Sequence, residues 1–398
     1  MYLNTAKLTN LKCISCATME WLAGHEAGWH ILLGDNGSGK SSILKAISLG
    51  LIGPKSLDLL RIDSEAWIRF GSENARIDLE VLRDSSTDFW NKQGKTRSSE
   101  SAWIELTRSG VGSSQPSTVD APFWDQETEG WFSAGFGPFR RFTGGDPSLT
   151  KLFYSHPRLG RHLSLHGEDV ALTETVEWLR QIYVRELEQR VPVEMSVVSR
   201  VRAFVNRVLG VEGYTLAPIN SEGVFFSTPT IERLRIEELS DGLRSILSMS
   251  LEIIRQASLA YHDDALLDSE GNTPITGVVL IDEIDVHLHP SWQALIGEEL
   301  KSIFPRIQFI VSTHSPLVCQ SADTIWRLDT EDGATQVRQL QGAEFETTRN
   351  GSIQEALGLT EAFGIVRERS PDGAAKLRKA AESAYSESEL DSLRGTEK

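Results

Sequence analysis

Residues 29–50, WHILLGDNGSGKSSILKAISLG, hold the pattern that decides the fold. An apolar run ends at Gly34, and residues 34–41 fit the pattern GxxxxGK[ST] at every defined position. Ile43, Leu44 and Ile47 then recur at helical spacing, which predicts a helix that begins near Gly39. A glycine-rich turn between a strand and a helix N-terminus presents backbone N–H groups to an anion. The stretch therefore predicts a phosphate-binding loop in an α/β sheet.

The same turn is expected to hold a nucleotide and its metal ion. At this spacing the Lys40 ammonium would reach the β- and γ-phosphates, and the Ser41 hydroxyl would bind Mg²⁺. The residues expected to contact the nucleotide are Asn36, Gly37, Ser38, Gly39, Lys40, Ser41 and Ser42. The sequence thus predicts ATP and Mg²⁺ as ligands.

A second apolar run, residues 277–281 (GVVLI), is followed by Asp282 and Glu283. Its β-branched composition is typical of a strand that is buried on both faces of a sheet. Beside a phosphate loop, the Asp282 carboxylate at the end of this strand would hold the Mg²⁺ shell. Glu283 would then polarise the attacking water as a general base.

Two further segments carry chemistry-bearing residues. Residues 239–244 (LSDGLR) begin a long predicted helix with Ser240 as its N-cap, and with Gly242 they form a second anion-binding site. Because residues 34–41 already bind the phosphates of their own subunit, this second site would serve a nucleotide on another subunit. Residues 312–316 (STHSP) end an apolar predicted strand and contain His314.

Taken together, these segments resemble ABC-type ATPase heads of the SMC, RecF and OLD-like branch. GDNGSGKS resembles their Walker A motif, ELSDGLRS their signature motif, LIDEIDVHLHP their Walker B motif with D-loop, and STHSP their His-switch segment. The motifs lie within about residues 1–84 and 231–330, roughly half of the chain. The resemblance implies an α/β P-loop NTPase fold, a mixed sheet flanked by helices.

The resemblance also implies a role for each motif residue. Lys40 would contact the phosphates, Glu283 would be the catalytic base, and His314 would sense the γ-phosphate. Ser41 and Asp282 would hold Mg²⁺. Across a head-to-tail pair of subunits, the nucleotide would be contacted by Ser240, Gly242 and the D-loop residue Asp285. The implied partner is a second copy of the chain, in an ATP-dependent dimer or a higher oligomer.

The sequence departs from the family pattern at two places. Asp241 stands where transporters usually have glycine, a change shared with the RecF- and OLD-like branch. No glutamine is a clear Q-loop residue, because Gln93 lies in a polar loop without supporting context.

Other potential metal ligands favour ordinary structural explanations. His287 and His289 lie in the segment HLHP, which resembles the usual family sequence at this point. Residues 262–264 (HDD) lie in a polar loop typical of solvated surface. Cys13 and Cys16 form one CxxC pair, but a structural zinc site needs four ligands and a second pair is missing from the sequence.

Composition narrows the class of protein. The chain has 398 residues, 40 Lys+Arg against 56 Asp+Glu, a net charge of −16 and three cysteines. Its length allows two or three domains, and the acidic balance argues against a protein that coats nucleic acid, although a local patch could bind it. The sequence has no apolar run of membrane-spanning length, and its first residues lack the apolar core expected of a signal peptide. Three cysteines lead us to expect a reduced, cytoplasmic setting.

The order of the predicted elements suggests four parts. The ATPase head is expected in two halves, residues 1–84 and 231–340. An insert with a helical lobe is expected at 85–230, and a helical tail at 341–398. AWIRF (66–70) is expected to be a strand, and TIWRLD (324–329) the last strand of the head. The insert is too short for the long coiled coil of SMC proteins.

Residues 131–146, WFSAGFGPFRRFTGGD, leave two interpretations open. Aromatic residues followed by Arg140 and Arg141 suit a loop that touches nucleotide or nucleic acid. The alternative is a loop anchored on the head by its aromatic side chains.

GPFRRF, EDVALTE and FPRIQFIVSTHSPLV also resemble compact AAA-family ATPases of prokaryotic anti-phage systems, among them the Septu ATPase PtuA and retron-associated ATPases. This resemblance implies an ATPase that controls a separate effector protein, such as a nuclease. One alternative is a RecF-like DNA-repair ATPase, which predicts turnover stimulated by DNA. The other is a nucleotide-gated scaffold with little turnover.

Overall fold

A mixed β-sheet runs through the part of the chain that the computed structural model describes. That part comprises residues 1–84, 87–88, 99–108, 117–118, 121–124, 130–138, 155–167, 174–192, 196–210, 213–217, 224–261, 266–286, 288–331 and 333–349. Its strands are β1 (Tyr2–Leu11), β2 (Ile14–Glu20), β3 (Gly28–Gly34), β4 (Asn74–Leu82), β5 (Ser99–Thr107), β6 (Ser117–Thr118), β7 (Ser133–Phe136), β8 (Thr215–Leu216), β9 (Phe225–Ser227), β10 (Leu234–Arg235), β11 (Gly277–Ile281), β12 (Ile307–Thr313), β13 (Thr324–Glu331) and β14 (Ala334–Gln339).

Eleven of these strands form the main sheet, in the order β6-β5-β4-β1-β2-β14-β13-β3-β12-β11-β7. From β13 to β7 every neighbouring pair is parallel, whereas β1, β2, β4 and β5 pair antiparallel. Strands β8, β9 and β10 make a separate small sheet. The parallel block matters for function because the carboxyl ends of its strands meet at one edge.

The described helices are α1 (Lys40–Ile52), α2 (Lys55–Leu59), α3 (Ser64–Trp67), α4 (Pro157–Gly160), α5 (Leu163–His166), α6 (Glu174–Gln189), α7 (Val197–Gly210), α8 (Asp241–Tyr261), α9 (Pro290–Gln293) and α10 (Ile296–Ile303). A further helical stretch covers 342–349. Among these described helices, none is long and apolar enough to cross a membrane.

The sheet separates two hydrophobic cores. Val278 and Leu280 of β11 pack into one core, and Val279 and Ile281 into the other, as the alternation of a strand buried on both faces requires. Helix α1 packs in the first core, while α6, α7, α8 and α10 pack in the second. Full burial of each such aliphatic side chain contributes about 1.5–3 kcal/mol to folding.

The expected α/β fold with a mixed sheet is confirmed, and α1 begins at Lys40 as predicted. The strand expected at 66–70 is wrong, because the Asp63 carboxylate accepts hydrogen bonds from the amides of Glu65 and Ala66 and starts the short helix α3. Residues 324–329 are not the last strand of the sheet, since β14 follows. Its sequence ATQVRQ is mostly polar, which hid it from a search for apolar strands.

Strands β5, β6 and β7 fall inside the stretch 85–230 that was expected to be an insert, yet they belong to the main sheet. Of the segment 131–146, Phe132 and Phe136 are buried in the core beside β11, and residues 139–146 lie outside the described part. Gln93, residues 262–264, His287 and the expected tail from 351 onward also lie outside it.

His30 of β3 is a buried histidine that supports the fold in its neutral form. Its Nε2 lies 2.7 Å from the Glu26 carbonyl, which can only accept, so Nε2 donates and Nδ1 accepts from the Thr324 hydroxyl at 2.7 Å. Burial lowers the pKa of His30 to about 4. Protonation of Nδ1 would remove the acceptor that Thr324 needs.

A pH dependence of stability follows from this lowered pKa. In the unfolded chain His30 binds a proton below about pH 6.5, whereas the folded chain resists protonation down to about pH 4. Between these two pH values, His30 should lower the free energy of unfolding by about 1.4 kcal/mol for each pH unit of acidification. Urea unfolding of wild type and His30→Gln from pH 7.5 to 5 measures it. Equal slopes for the two proteins would contradict the assignment.

Candidate nucleotide-binding site

The candidate site lies where three parallel strands end. β3 leads into the loop 34–39, β11 ends before Asp282, and β12 lies between them and ends at Thr313. The pairing is in register, with Ile281 opposite Val311 and Leu33 opposite Thr313. Segments that are more than 200 residues apart in sequence therefore meet at one edge of the sheet.

The loop before α1 has the backbone of a phosphate cradle. Gly37 and Gly39 adopt φ of 79° and 98°, the left-handed region that favours glycine. The Lys40 ammonium donates to the carbonyls of Gly34 at 2.7 Å and Asp35 at 2.9 Å, so it lies over the loop. Burial lowers the pKa of Lys40, and the carboxylates that follow β11 act in the opposite direction.

The cradle meets two further tests of a fit to a bound phosphate. Asn36 and Gly37 are exposed at the tip of the loop, and Ser41 and Ser42 are half-buried in the first turn of α1. Ser38 Oγ is buried, and the described part of the chain offers it no hydrogen-bond partner. An unpaired buried hydroxyl next to the turn is a polar group that a bound anion or its water could satisfy.

Asp282 joins the two motifs. The Ser41 hydroxyl donates to Asp282 Oδ1 at 3.0 Å, and the Ser312 hydroxyl donates to the same oxygen. The side chain is buried, with Asp282 only 4% exposed. A carboxylate beside a serine hydroxyl is the oxygen donor set that Mg²⁺ prefers. These two residues therefore fit the expected metal position.

Glu283 has an unusual backbone. Its φ is 47°, in the left-handed region, where a non-glycine residue is uncommon. The Glu283 amide donates to Ser312 Oγ at 2.8 Å, and the Ile284 amide donates to the Ser312 carbonyl at 3.2 Å. Ser312 thus binds the backbone of Glu283 and the side chain of Asp282 at once. The Glu283 side chain is half-buried in this turn, directly after Asp282.

Asp285 and His314 are connected through the end of β12. The Thr313 hydroxyl donates to Asp285 Oδ1 at 2.6 Å, and the His314 amide lies 3.4 Å from the same oxygen. The His314 side chain is exposed. Gln293 of α9 donates to the Asp285 carbonyl at 3.3 Å and so holds the D-loop backbone.

Ser240 and Gly242 lie at the start of α8, apart from the cradle. Ser240 Oγ accepts from the Leu243 amide at 3.4 Å, and its carbonyl accepts from the Arg244 amide, as expected for an N-cap. The Ser240 side chain is exposed. The structure thus brings together the residues of Walker A, Walker B, the D-loop and the His segment, and presents the signature residues on a separate helix N-terminus.

Sequence reasoning missed Ser312, Thr313 and Gln293, which hold residues of the candidate site by hydrogen bonds. Ser312 and Thr313 immediately precede His314, so the STHSP segment drew attention to the histidine and away from the two hydroxyls. Their roles depend on which strand lies beside β11, which a local pattern does not contain. An apolar strand that ends in two hydroxyl residues was the available signal.

The remaining metal candidates make no cluster in the structure. Among the described residues, no group of three or more His, Cys, Asp or Glu side chains could hold a metal ion. Cys13 is half-buried and Cys16 is exposed. A Cβ added to Gly39 would lie 2.7 Å from the Cys13 sulfur, so this cysteine packs against the cradle. His289 caps α9 through its carbonyl, which accepts from the Trp292 amide at 2.8 Å.

Two alanine substitutions in the cradle should lower the free energy of unfolding by different amounts. Both Gly37→Ala and Gly39→Ala place a side chain at positive φ, which costs about 1–2 kcal/mol. Only Gly39→Ala also meets an obstacle, the Cys13 sulfur, because a Cβ at Gly37 has nothing within 4 Å. Urea unfolding should therefore show a larger loss of stability for Gly39→Ala.

Cys13→Ala supplies the control in a double-mutant cycle. It should recover part of the loss caused by Gly39→Ala and leave the loss caused by Gly37→Ala unchanged. Equal recovery of both variants would show that Cys13 does not limit the space beside the cradle.

Comparison with known structures supports the fold. The chain is similar to the SMC head described in "Crystal structure of the SmcHead bound to the C-winged helix domain of ScpA", with a TM-score of 0.53 and 17% sequence identity. The match covers 86% of this chain and 98% of that one. The architecture is therefore that of an SMC head-like P-loop NTPase.

Sequence comparison finds similarity to two named bacterial proteins. The Retron Ec83 probable ATPase of Escherichia coli is 46% identical over 99 residues, 24% of this chain and 17% of that protein. The Septu protein PtuA of Bacillus mycoides (strain KBAB4) is 26% identical over 294 residues, 73% of this chain and 35% of that protein. The matched part of the chain thus spans 17–35% of the length of these relatives.

A family model described as "AAA domain, putative AbiEii toxin, Type IV TA system" matches residues 30–320, from β3 through the end of the His segment. This range includes every motif residue placed above. The chain belongs to this AAA domain family.

Proposed function

We propose that the chain is a Mg²⁺-dependent ATPase with an ABC-type head. The observation that carries this proposal is the 3.0 Å hydrogen bond from the Ser41 hydroxyl to Asp282 Oδ1, which joins the phosphate loop to the acidic end of β11. A chance glycine-rich turn would have no reason to meet a buried carboxylate on a strand two positions away. The same arrangement is what a bound nucleotide with its metal ion requires.

Each residue would contribute one physical effect to hydrolysis. Lys40 and the amides of the cradle bind the phosphates and orient the terminal phosphoryl group. Glu283, set beside Asp282 by its left-handed backbone, accepts a proton from the attacking water. Mg²⁺, when bound by Ser41 and Asp282, supplies positive charge to the phosphate oxygens. His314, which is exposed after the end of β12, would contact the γ-phosphate.

A second copy of the chain would complete the site. Helix α1 and the signature helix α8 pack in different cores on the two faces of the sheet. Ser240, which is exposed, and Gly242, which is half-buried, would thus be available at the α8 N-terminus to an anion held by another subunit. We propose a head-to-tail pair, or a higher oligomer, that closes on two ATP molecules with Asp285 at the contact.

The cellular role follows by similarity and belongs to the same proposal. The relatives include a Septu protein and a retron ATPase, and the similar SMC head is bound to a domain of another protein, ScpA. We propose that ATP-driven pairing of heads controls a separate effector protein, such as a nuclease, in anti-phage defence.

Glu283→Gln should separate nucleotide binding from hydrolysis. Loss of the general base should lower phosphate release by at least about 100-fold, while the cradle still binds ATP·Mg²⁺. Light scattering should then show an ATP-dependent increase in mass for Glu283→Gln. Lys40→Ala is the matched control, since it should neither bind ATP nor gain mass. Unchanged mass with ATP would contradict ATP-driven pairing, whereas an ATP-dependent increase in wild-type mass without phosphate release would favour the nucleotide-gated scaffold.

Mixing two inactive variants tests whether the site is shared between subunits. Lys40→Ala removes the cradle lysine, and Ser240→Glu places a carboxylate where the partner's phosphates would lie. A mixed pair contains one complete site, so an equimolar mixture should regain about a quarter of the wild-type rate if subunits pair at random. Neither variant alone should be active. A mixture as inactive as its components would show that both residues act within one subunit.

A further inference from the structure

Thr335 of β14 connects the cradle to the turn between β1 and β2. It is completely buried. Its amide donates to the Cys13 carbonyl at 2.8 Å, and its hydroxyl donates to the Ser38 carbonyl at 2.8 Å. One residue therefore uses both of its donors to hold two loops that are distant from it in sequence.

The two loops also touch each other directly. The Cys13 sulfur lies against Gly39, where an added Cβ would be 2.7 Å away. The Cys13 carbonyl accepts a second hydrogen bond, from Arg69 Nη1 at 2.6 Å. The turn at Cys13 is thus held from two sides, and it forms a firm support for the cradle on the side of β14.

The hydrogen bond to Ser38 has a consequence for the next amide. The peptide between Ser38 and Gly39 is trans and planar, so its C=O and its N–H point in opposite directions. Because the Ser38 carbonyl points towards Thr335, the Gly39 N–H points away from β14. The left-handed φ of Gly39, 98°, belongs to the same arrangement.

We propose that Thr335 is a positioning residue for the nucleotide, which it affects by aiming the Gly39 N–H at the phosphates. This inference rests on the proposed function, because it assumes that the cradle binds ATP. Thr335 touches the outer side of the cradle and takes no part in the proposed proton transfer. Its loss should therefore weaken phosphate binding and leave the chemical step unchanged.

The test is the affinity for a fluorescent ATP analogue with Mg²⁺, measured for wild type, Thr335→Val and Thr335→Ser. Valine keeps the shape and the β-branch of threonine and removes the hydroxyl, whereas serine keeps the hydroxyl. Thr335→Val should bind about tenfold more weakly, as expected when one hydrogen bond to an anion is misaligned. Thr335→Ser should bind within about twofold of wild type. At saturating ATP, Thr335→Val should release phosphate at the wild-type rate.

Thr324→Val is the matched control for a general loss of stability. Thr324 also uses its hydroxyl in one hydrogen bond, to His30 at 2.7 Å, in the neighbouring strand β13. It should lower the unfolding midpoint and leave the affinity for the analogue unchanged. If Thr335→Val does not fold, Thr335→Ala and Thr335→Ser carry the same comparison.

The outcomes separate this inference from the proposed function. Equal affinity of wild type and Thr335→Val, or an equal loss in Thr324→Val, overturns the positioning role and leaves the ATPase proposal intact. Failure of wild type itself to bind the analogue overturns the proposed function.

Discussion

The hydrogen bond between Ser41 and Asp282 joins residues 241 positions apart, and the candidate site depends on it. It exists because β3 and β11 are parallel and both pair with β12. Neighbouring strands lie about 4.8 Å apart, so an intervening strand leaves a gap that a serine on the first turn of a helix can span. Ser312 of β12 occupies that gap and donates to the same carboxylate oxygen. The geometry of the site is therefore a property of strand order.

Local signals predicted the parts of the fold whose cause is local. The cradle, the strand at 277–281 and the cap of α8 each depend on neighbouring residues, and each was found from them. The short helix α3 was missed because one side chain, Asp63, overrides a short apolar run. Strand β14 was missed because its partners β2 and β13 stabilise a sequence with little strand character of its own.

The residues of the candidate site likewise divide into those that a local pattern predicts and those that it does not. Lys40, Asp282 and Glu283 could be predicted as site residues because their motifs carry the chemistry in a fixed spacing. Ser312 and Thr335 could not, because their importance comes from a neighbour across the sheet. Hydroxyl residues are common in any sequence, and only the register of the strands distinguishes these two.

The strained backbone at Glu283 helps to fix the positions of the acidic residues that follow β11 relative to one another. A left-handed residue persists only where its surroundings determine it, and here Ser312 provides that determination through one hydroxyl and one carbonyl. Thr313, the next residue of β12, holds Asp285 in the same way. The acids at the end of β11 are therefore positioned by β12, whereas the cradle is held from the other side by β14. Two different strands thus support the two halves of the candidate site, and the hydrogen bond from Ser41 to Asp282 joins these halves.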